Sequence, residues 1–341
     1  MSCPGICTMN ITSDEGTHNL LDVSDTIYTA FDILINCFLA QALAWFGFLG
    51  NILNICVLSQ QGMRDTTNLL LLYLAVSDLI FSILTIAYRI QNIVFYVDRH
   101  LSVTILSYYY EIFDNIKYTA LFSGTYLITM LSVERMFAVC FPFQVSRIVT
   151  RFRIKICAFI ITFIIFVIQL PLYGLTYLDL YIVDNATEMR RYVTNFTLNN
   201  YDFLKNFYLS TFVNVYSMVI PIVIVMVCSI MTITTIKMSF KNTRKLSTNS
   251  QLKRTKEIRS VKLSLVLSTS LISLVLVPSG CIETVLITNR PSVHLSEKAY
   301  RLLFSSDQIL YIMNSSCNFI LYVLTSQKFT KTLTKMFVLK K

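Results

Sequence analysis

Seven mostly apolar stretches hold almost all of this chain's hydrophobic residues, at positions 31–58, 67–97, 102–139, 154–177, 207–238, 261–287 and 299–324. Each is long enough to cross a bilayer, which takes a helix of about 20 residues. With 55% of 341 residues hydrophobic and only 14% charged, a water-soluble fold of this size has too little polar surface to cover itself. Inside lipid the backbone must satisfy its own hydrogen bonds, so such stretches fold as helices. After them, Phe329, Leu333, Met336 and Phe337 alternate with Lys328, Lys331 and Lys335, the pattern of a helix lying on a membrane surface. The expected fold is an all-α membrane protein: a seven-transmembrane helix bundle with a short amphipathic eighth helix. Its parts are a tail at 1–30, the bundle at 31–326, and an amphipathic helix and tail at 327–341.

Charge orients the bundle. The N-terminal tail has no basic segment leading into an apolar core, so a cleaved signal peptide is not expected. Alternate connectors are unequal in Lys and Arg. One set holds Arg64, then Arg147, Arg151, Arg153 and Lys155, then the basic segment 237–262 and the Lys-rich end of the chain. The other set has no base before the first span and only scattered ones later, such as Arg99, Arg190, Arg191, Lys205 and Arg290. By the positive-inside rule the first set is cytoplasmic and the N-terminus extracellular. The formal net charge of +10 then faces anionic membrane lipid and a cytosolic partner rather than nucleic acid. Sequons at Asn10, Asn185 and Asn195 all fall on the side that charge makes extracellular, and are candidate glycosylation sites.

Several function classes find no support. His18, His100 and His294 are isolated, and most of the cysteines lie within apolar runs. Cys3 and Cys7 are close enough for a small loop, or are two unpaired thiols. No phosphate-binding glycine loop, nucleophile elbow or pair of catalytic carboxylates occurs, so an enzyme is not expected. No internal repeat points to a duplicated transporter fold.

Two spans carry polar groups where lipid disfavours them: Asp78 deep in the second, and Glu134-Arg135 at the far end of the third. An uncompensated charge at bilayer depth costs on the order of several kcal/mol, so such residues mark a functional interior. Asn51, Asn314 and Asn318 supply polar side chains for Asp78 on neighbouring helices. Glu134 can neutralise Arg135; the bland alternative is a surface ion pair worth under about 1 kcal/mol. Pro278 removes a hydrogen bond from the sixth span and kinks it, whether as a lever or as a plain bend.

In order along the chain come Gly50-Asn51, Leu74-Ala75-Val76-Ser77-Asp78, Glu134-Arg135-Met136, Phe141-Pro142-Phe143, Pro221, Pro278, and Asn318-Phe-Ile-Leu-Tyr322 with Phe329 beyond. Together these resemble the motifs of rhodopsin-like (class A) G protein-coupled receptors, over nearly the whole chain. The resemblance implies a plasma-membrane receptor that couples an extracellular ligand to a heterotrimeric G protein. It implies a sodium ion near Asp78, in a cluster with Asn51, Asn314 and Asn318; a hydrogen-bonded clamp without an ion is the alternative. It assigns switching and coupling to Glu134, Arg135, Pro221, Pro278 and Tyr322, and gives Phe143 the part of an apolar residue inserted into the G protein.

Departures from the family pattern are also readable. Tyr108, Tyr109 and Tyr110 stand where the family usually has a cysteine, and 178–206 contains none, so the family's extracellular disulfide is not expected. Val275-Leu276-Val277-Pro278 lacks the family's tryptophan, Phe319 replaces a proline, and Gly124 replaces a serine that would offer sodium a ligand. Such drift suggests a divergent, lineage-specific receptor. Lys117 stands where amine receptors carry an aspartate, which disfavours an amine, and Ile312 where opsins carry the retinal lysine. Arg89, Tyr110, Glu111, Asp114, Lys117, Glu283 and Asp307 make a mouth of mixed charge, suited to a neuropeptide-like ligand. Asp114 and Lys117, three residues apart on a helix, can instead pair with each other. The alternatives for function are a chemosensory receptor for small environmental molecules and, from another class, a seven-span transporter or channel.

Overall fold

The computed structural model describes residues 24–183, 213, 215–243, 277–278, 281–282 and 297–338. Among these there are helices and no strands. Helix α1 runs over Asp25–Gln61, α2 over Thr66–Phe95, α3 over Arg99–Ile112, α4 over Asp114–Cys140, α5 over Val145–Ile148 and α6 over Arg151–Val183. Beyond them lie α7 at Ile220–Thr243, α8 at Glu297–Thr325 and α9 at Gln327–Val338. The first, second, fourth and fifth spans correspond to α1, α2, α6 and α7. The third is α3 and α4 in line, interrupted at Phe113, and the seventh is α8. The sixth span lies outside the described residues except for Val277, Pro278, Cys281 and Ile282.

By length and composition, four helices of the described residues can each cross a membrane, or five if α8 and α9 count as one bent span. They do not act as one span: α9 turns from α8 by 96°, which suits an amphipathic helix at the bilayer surface. Its Phe329 is buried against the rings of Tyr322 (centroids 5.5 Å) and Phe319 (6.2 Å), pinning the turn. Helix α4 is the third span's long part and is too rich in Ser, Thr and charge to stand out by hydropathy. It runs through the middle, packed on α2, α6 and α7. Lipid-facing helices differ: Phe152, Phe159 and Phe163 of α6 are exposed, as expected for a helix whose neighbour is lipid.

The ends follow from local chemistry. Asp65 caps α2 by accepting from the Thr67 amide (3.3 Å), and Ser24 caps α1 by accepting from the Ile27 amide (3.4 Å). Helix α1 therefore begins at Asp25, before the apolar stretch that starts at residue 31. Gly62 ends α1 at φ 86°, a conformation that costs a side-chain-bearing residue energy.

Helix α7 is entered through a π-helical turn at Val215–Val219, just ahead of Pro221. Proline has no N–H, so the carbonyl of Tyr216, five residues earlier, loses the donor a π turn would give it. The Tyr126 hydroxyl of α4 donates to that carbonyl at 2.7 Å instead, with the two rings 5.1 Å apart. Removing the hydroxyl in Tyr126→Phe should cost about 1–2 kcal/mol and lower the melting temperature in detergent by a few degrees. In a Pro221→Ala background the restored N–H should shrink that cost. An equal cost in both backgrounds would sink this account.

Candidate functional site

Polar residues gather at three levels inside the bundle. The upper end is where α1 begins and α2 finishes; the lower end is where α2 begins and α9 lies.

At the upper level α1 carries a π-helical segment, Ile33–Leu39, whose extra residue per turn sets Asn36 into the interior. Asn36 donates to Asp32 (2.6 Å) and to Ser305 of α8 (3.1 Å), and accepts from Arg89 of α2. Arg89 is 4% exposed; among the described residues its Nε makes no hydrogen bond and no carboxylate pairs with it. Its guanidinium lies 5.3 Å from the Tyr88 ring centre. Lys117, also buried, pairs with Asp114 at 3.0 Å. Its ammonium is boxed by the rings of Tyr118 (4.3 Å), Tyr88 (4.6 Å) and Tyr109 (5.7 Å). An ion pair and three π faces hold this cation where it is. Asp307 is buried on α8. Tyr110 and Glu111 lie on α3 with side chains outside the described ones, and Glu283 lies outside the described residues, as do Asn10, Asn185, Asn195, Cys3 and Cys7.

The middle level centres on Asp78, buried in α2. Asn318 donates to its Oδ2 at 2.6 Å, while Ser82 (2.8 Å) and Ser315 (3.3 Å) donate to its backbone carbonyl. Asn51 donates to the Ser315 carbonyl (3.3 Å) and accepts from Asn54 (3.1 Å). Three of the four expected residues are thus brought together. Ser315 takes the place expected for Asn314, which is only half-buried. A Cβ built on Gly124 would lie 3.5 Å from Asp78 Oδ1, so α4 approaches the carboxylate with no side chain between them.

At the lower level Arg135 Nε lies 3.1 Å from Glu134 Oε2. Glu134 accepts from Thr66 (2.9 Å) and from Thr67 (3.1 Å to one oxygen, 3.3 Å to the other). Arg135 donates to the Thr67 hydroxyl as well. The pair is thereby bolted to the first turn of α2. Glu134 is buried, so this is no solvated surface ion pair. Tyr322 is 1% exposed, and among the described residues its hydroxyl has no hydrogen-bond partner. Just past α4, Phe143 is 98% exposed. Pro278 is half-buried, with its neighbours outside the described residues.

Sequence reasoning missed Thr66, Thr67, Asn36, Ser315, Asn54 and Tyr126. Small hydroxyl and amide residues are common in membrane helices, and only the rotation of each helix decides which of them face a charge.

Residues 50–322, most of the chain, match the family described as 7 transmembrane receptor (rhodopsin family). Relatives include growth hormone secretagogue receptor type 1 of Sus scrofa, 31% identical over 145 residues, which make 42% of this chain and 37% of that receptor. The same receptor of Homo sapiens is 31% identical over 130 residues, 38% of this chain and 34% of its own length. G-protein coupled receptor E1 of Equine herpesvirus 2 (strain 86/87) is 32% identical over 138 residues, 40% of this chain and 33% of that protein. The alignments thus span little more than a third of the relatives' lengths. The family consists of multi-pass plasma-membrane receptors, which are not enzymes and which work between a ligand and a G protein. With its motifs in order along an all-helical bundle, the chain belongs to the rhodopsin family of seven-transmembrane receptors.

Proposed function

We propose that this receptor lies with its N-terminus outside the cell and its C-terminus in the cytoplasm, binds an extracellular peptide, and catalyses nucleotide exchange on a heterotrimeric G protein. In this reading 1–30 is the outer tail, 31–326 the receptor domain and 327–341 the cytoplasmic helix and tail; the sequons at Asn10, Asn185 and Asn195 are extracellular. The observation that carries it is the lower-level lock, in which Glu134 holds Arg135 against Thr67. A buried charge pair tied to a neighbouring helix has a bound and a released arrangement, as a two-state switch requires. A ligand that favours the released arrangement shifts the population toward it.

A peptide ligand is supported by the buried Arg89 and Asp307, which carry opposite signs of charge for a peptide backbone and its termini. It is supported too by relatives named for growth hormone secretagogues. Tyr110, Glu111 and Glu283 belong to the same proposed mouth. The middle level is read as a hydrogen-bonded clamp: Asn318 presents an N–H to Asp78, and Gly124 offers no oxygen to an ion. No step of this reading passes through an ion. Pro221, Pro278 and Tyr322 serve as pivot and contact points of the switch.

Phe143, almost wholly exposed beyond α4, is the contact we assign to the G protein. The test uses receptor in nanodiscs, a panel of peptides, and nucleotide exchange on purified heterotrimer. A peptide should accelerate exchange, and Phe143→Ala should cut the accelerated rate by about tenfold, as loss of a buried aromatic contact does. Peptide affinity without G protein should stay unchanged. Response to small odorants but to no peptide would favour the chemosensory reading, and a rate unaffected by Phe143→Ala would remove the assigned contact.

A further inference from the structure

The upper level holds two buried cations, and the bundle treats them unequally. Lys117 is paired with the Asp114 carboxylate and faced by three tyrosine rings. Arg89 has a neutral acceptor, the Asn36 side-chain oxygen, and the Tyr88 ring. Among the described residues no carboxylate lies within ion-pair distance of it. Asp32 is joined to it only through the Asn36 amide, which donates to Asp32 at 2.6 Å and accepts from Arg89. A guanidinium has five N–H donors and keeps its proton in any protein, so burial does not neutralise it. A buried charge without a counter-charge is strongly unfavourable, and calls for an anion. One turn below Arg89 on the same face of α2, Thr85 is buried too, and among the described residues its hydroxyl bonds to nothing. Helical side chains lean toward the N-terminus of their helix, which directs the Arg89 stem over the turn carrying Thr85. Asn36 also donates to Ser305, so α1, α2 and α8 all meet at this cluster. It sits on the π-helical segment of α1, a distortion that recurs at functional sites.

We propose that Arg89 and Thr85 form an anion site that takes the free α-carboxylate at the C-terminus of a peptide ligand. The site rests on the peptide-receptor function proposed above and narrows its ligand class. A carboxylate offers two oxygens to the guanidinium and a further lone pair to the threonine hydroxyl, and it supplies the missing negative charge. Arg89 stands less than two turns below the end of α2 at Phe95, inside the bundle. A chain end reaches that depth as a single strand. An internal acidic side chain would have to bring two flanking segments between the helices with it. Specificity follows from charge: a peptide ending in a free acid is held, and the same peptide ending in an amide brings no counter-charge to Arg89 and binds weakly.

The binding test needs no identified ligand and no G protein. Purified receptor in phosphatidylcholine nanodiscs is melted with N-acetyl-alanine, a minimal peptide C-terminus, with N-acetyl-alaninamide, with octanoate, and with sodium chloride at equal ionic strength. N-acetyl-alanine should raise the melting temperature by about two degrees or more, and its amide by no more than chloride does. Octanoate, the same carboxylate on a lipid-like stem, should act more weakly. Arg89→Gln keeps a side-chain amide beside Asn36 and drops the charge. It should melt as high as wild type and bind N-acetyl-alanine about thirtyfold more weakly. Thr85→Val keeps the shape, loses the hydroxyl and should weaken binding about fivefold. Lys298→Met, at the start of α8 where Lys298 pairs with Asp25, should leave binding within about twofold. No response to N-acetyl-alanine, an equal response to its amide, or an equal response in Arg89→Gln would overturn the anion site. Melting of Arg89→Gln far below wild type would show the cation already compensated, and would overturn it too. A stronger response to octanoate would give the site to a lipid acid and overturn the chain end as occupant. Any peptide that accelerates exchange should lose about thirtyfold in potency on C-terminal amidation, and equal potency would likewise overturn the proposal. Peptide-driven exchange and its loss in Phe143→Ala do not depend on which terminus is charged, so the anion site and the receptor function fail separately.

Discussion

Glu134→Gln should raise ligand-independent nucleotide exchange by about tenfold or more, at equal surface density of receptor. The reasoning is a population shift. Glu134 accepts from two threonines and faces the Arg135 guanidinium within a mostly buried site. Hydrogen bonds to a charged group contribute about 1.5–3 kcal/mol each, and neutralising the carboxylate forfeits part of several. If the locked arrangement loses about 2 kcal/mol, the equilibrium constant for release rises about thirtyfold, and a state populated at about one part in a hundred rises about twentyfold. Thr67→Val should act in the same direction and more weakly, because it removes one donor to Glu134 and one acceptor of Arg135. Arg135→Ala should do the opposite, lowering both basal and ligand-driven exchange while the receptor still reaches the surface. An unchanged basal rate in Glu134→Gln would mean that the lower-level cluster is a structural tie and not a lock.

How far the sequence revealed this arrangement depends on the physical demand behind each residue. Lipid requires long apolar helices, so the described ends of every span but the sixth were legible to within a few residues; a helix beyond the lipid leaves no such trace, which is why the start of α1 at Asp25 was missed. The break at Phe113 was missed for a similar reason, since both sides remain helical. Buried charge is conspicuous, so Asp78, Glu134 and Arg135 announced themselves. Their partners did not. Ser315 is adjacent to Asn314 and differs from it by about 100° around the helix, a rotation that apolar patterning on α8 does not resolve. Thr66 and Thr67 read as ordinary residues at a helix start. The spacing of Asp114 and Lys117 left a ligand contact and a mutual ion pair equally open; the pair forms, and three tyrosines from α2, α3 and α4 surround the ammonium. Such enclosure is a property of packing and has no local signature.

Gly47 shows the same limit and carries the second large effect. It belongs to no motif, yet α1, α2 and α8 meet there more closely than at the motif glycine beside Asn51. A Cβ at position 47 would lie 2.6 Å from Ser316 Oγ and 2.9 Å from Ser82 Oγ, whereas at Gly50 the nearest atom is Phe319 Cβ at 3.0 Å. Neither hydroxyl is free to retreat. Ser316 donates to the carbonyls of Leu43 (2.8 Å) and Ile312 (2.7 Å), and Ser82 donates to the Asp78 carbonyl (2.8 Å). In a membrane no hydrophobic effect drives helices together, so close approach at small residues supplies much of the packing. Gly47→Ala should cost about 1–3 kcal/mol of stability as an overpacked contact, lowering the melting temperature in detergent by several degrees. Gly47→Leu cannot be accommodated without separating α1 from α2 and α8, and should abolish surface expression. Ser316→Ala in the Gly47→Ala background removes the atom in the shortest contact and should recover part of the lost stability. Full surface expression of Gly47→Leu, with unaltered melting, would show that the three helices do not meet at this glycine.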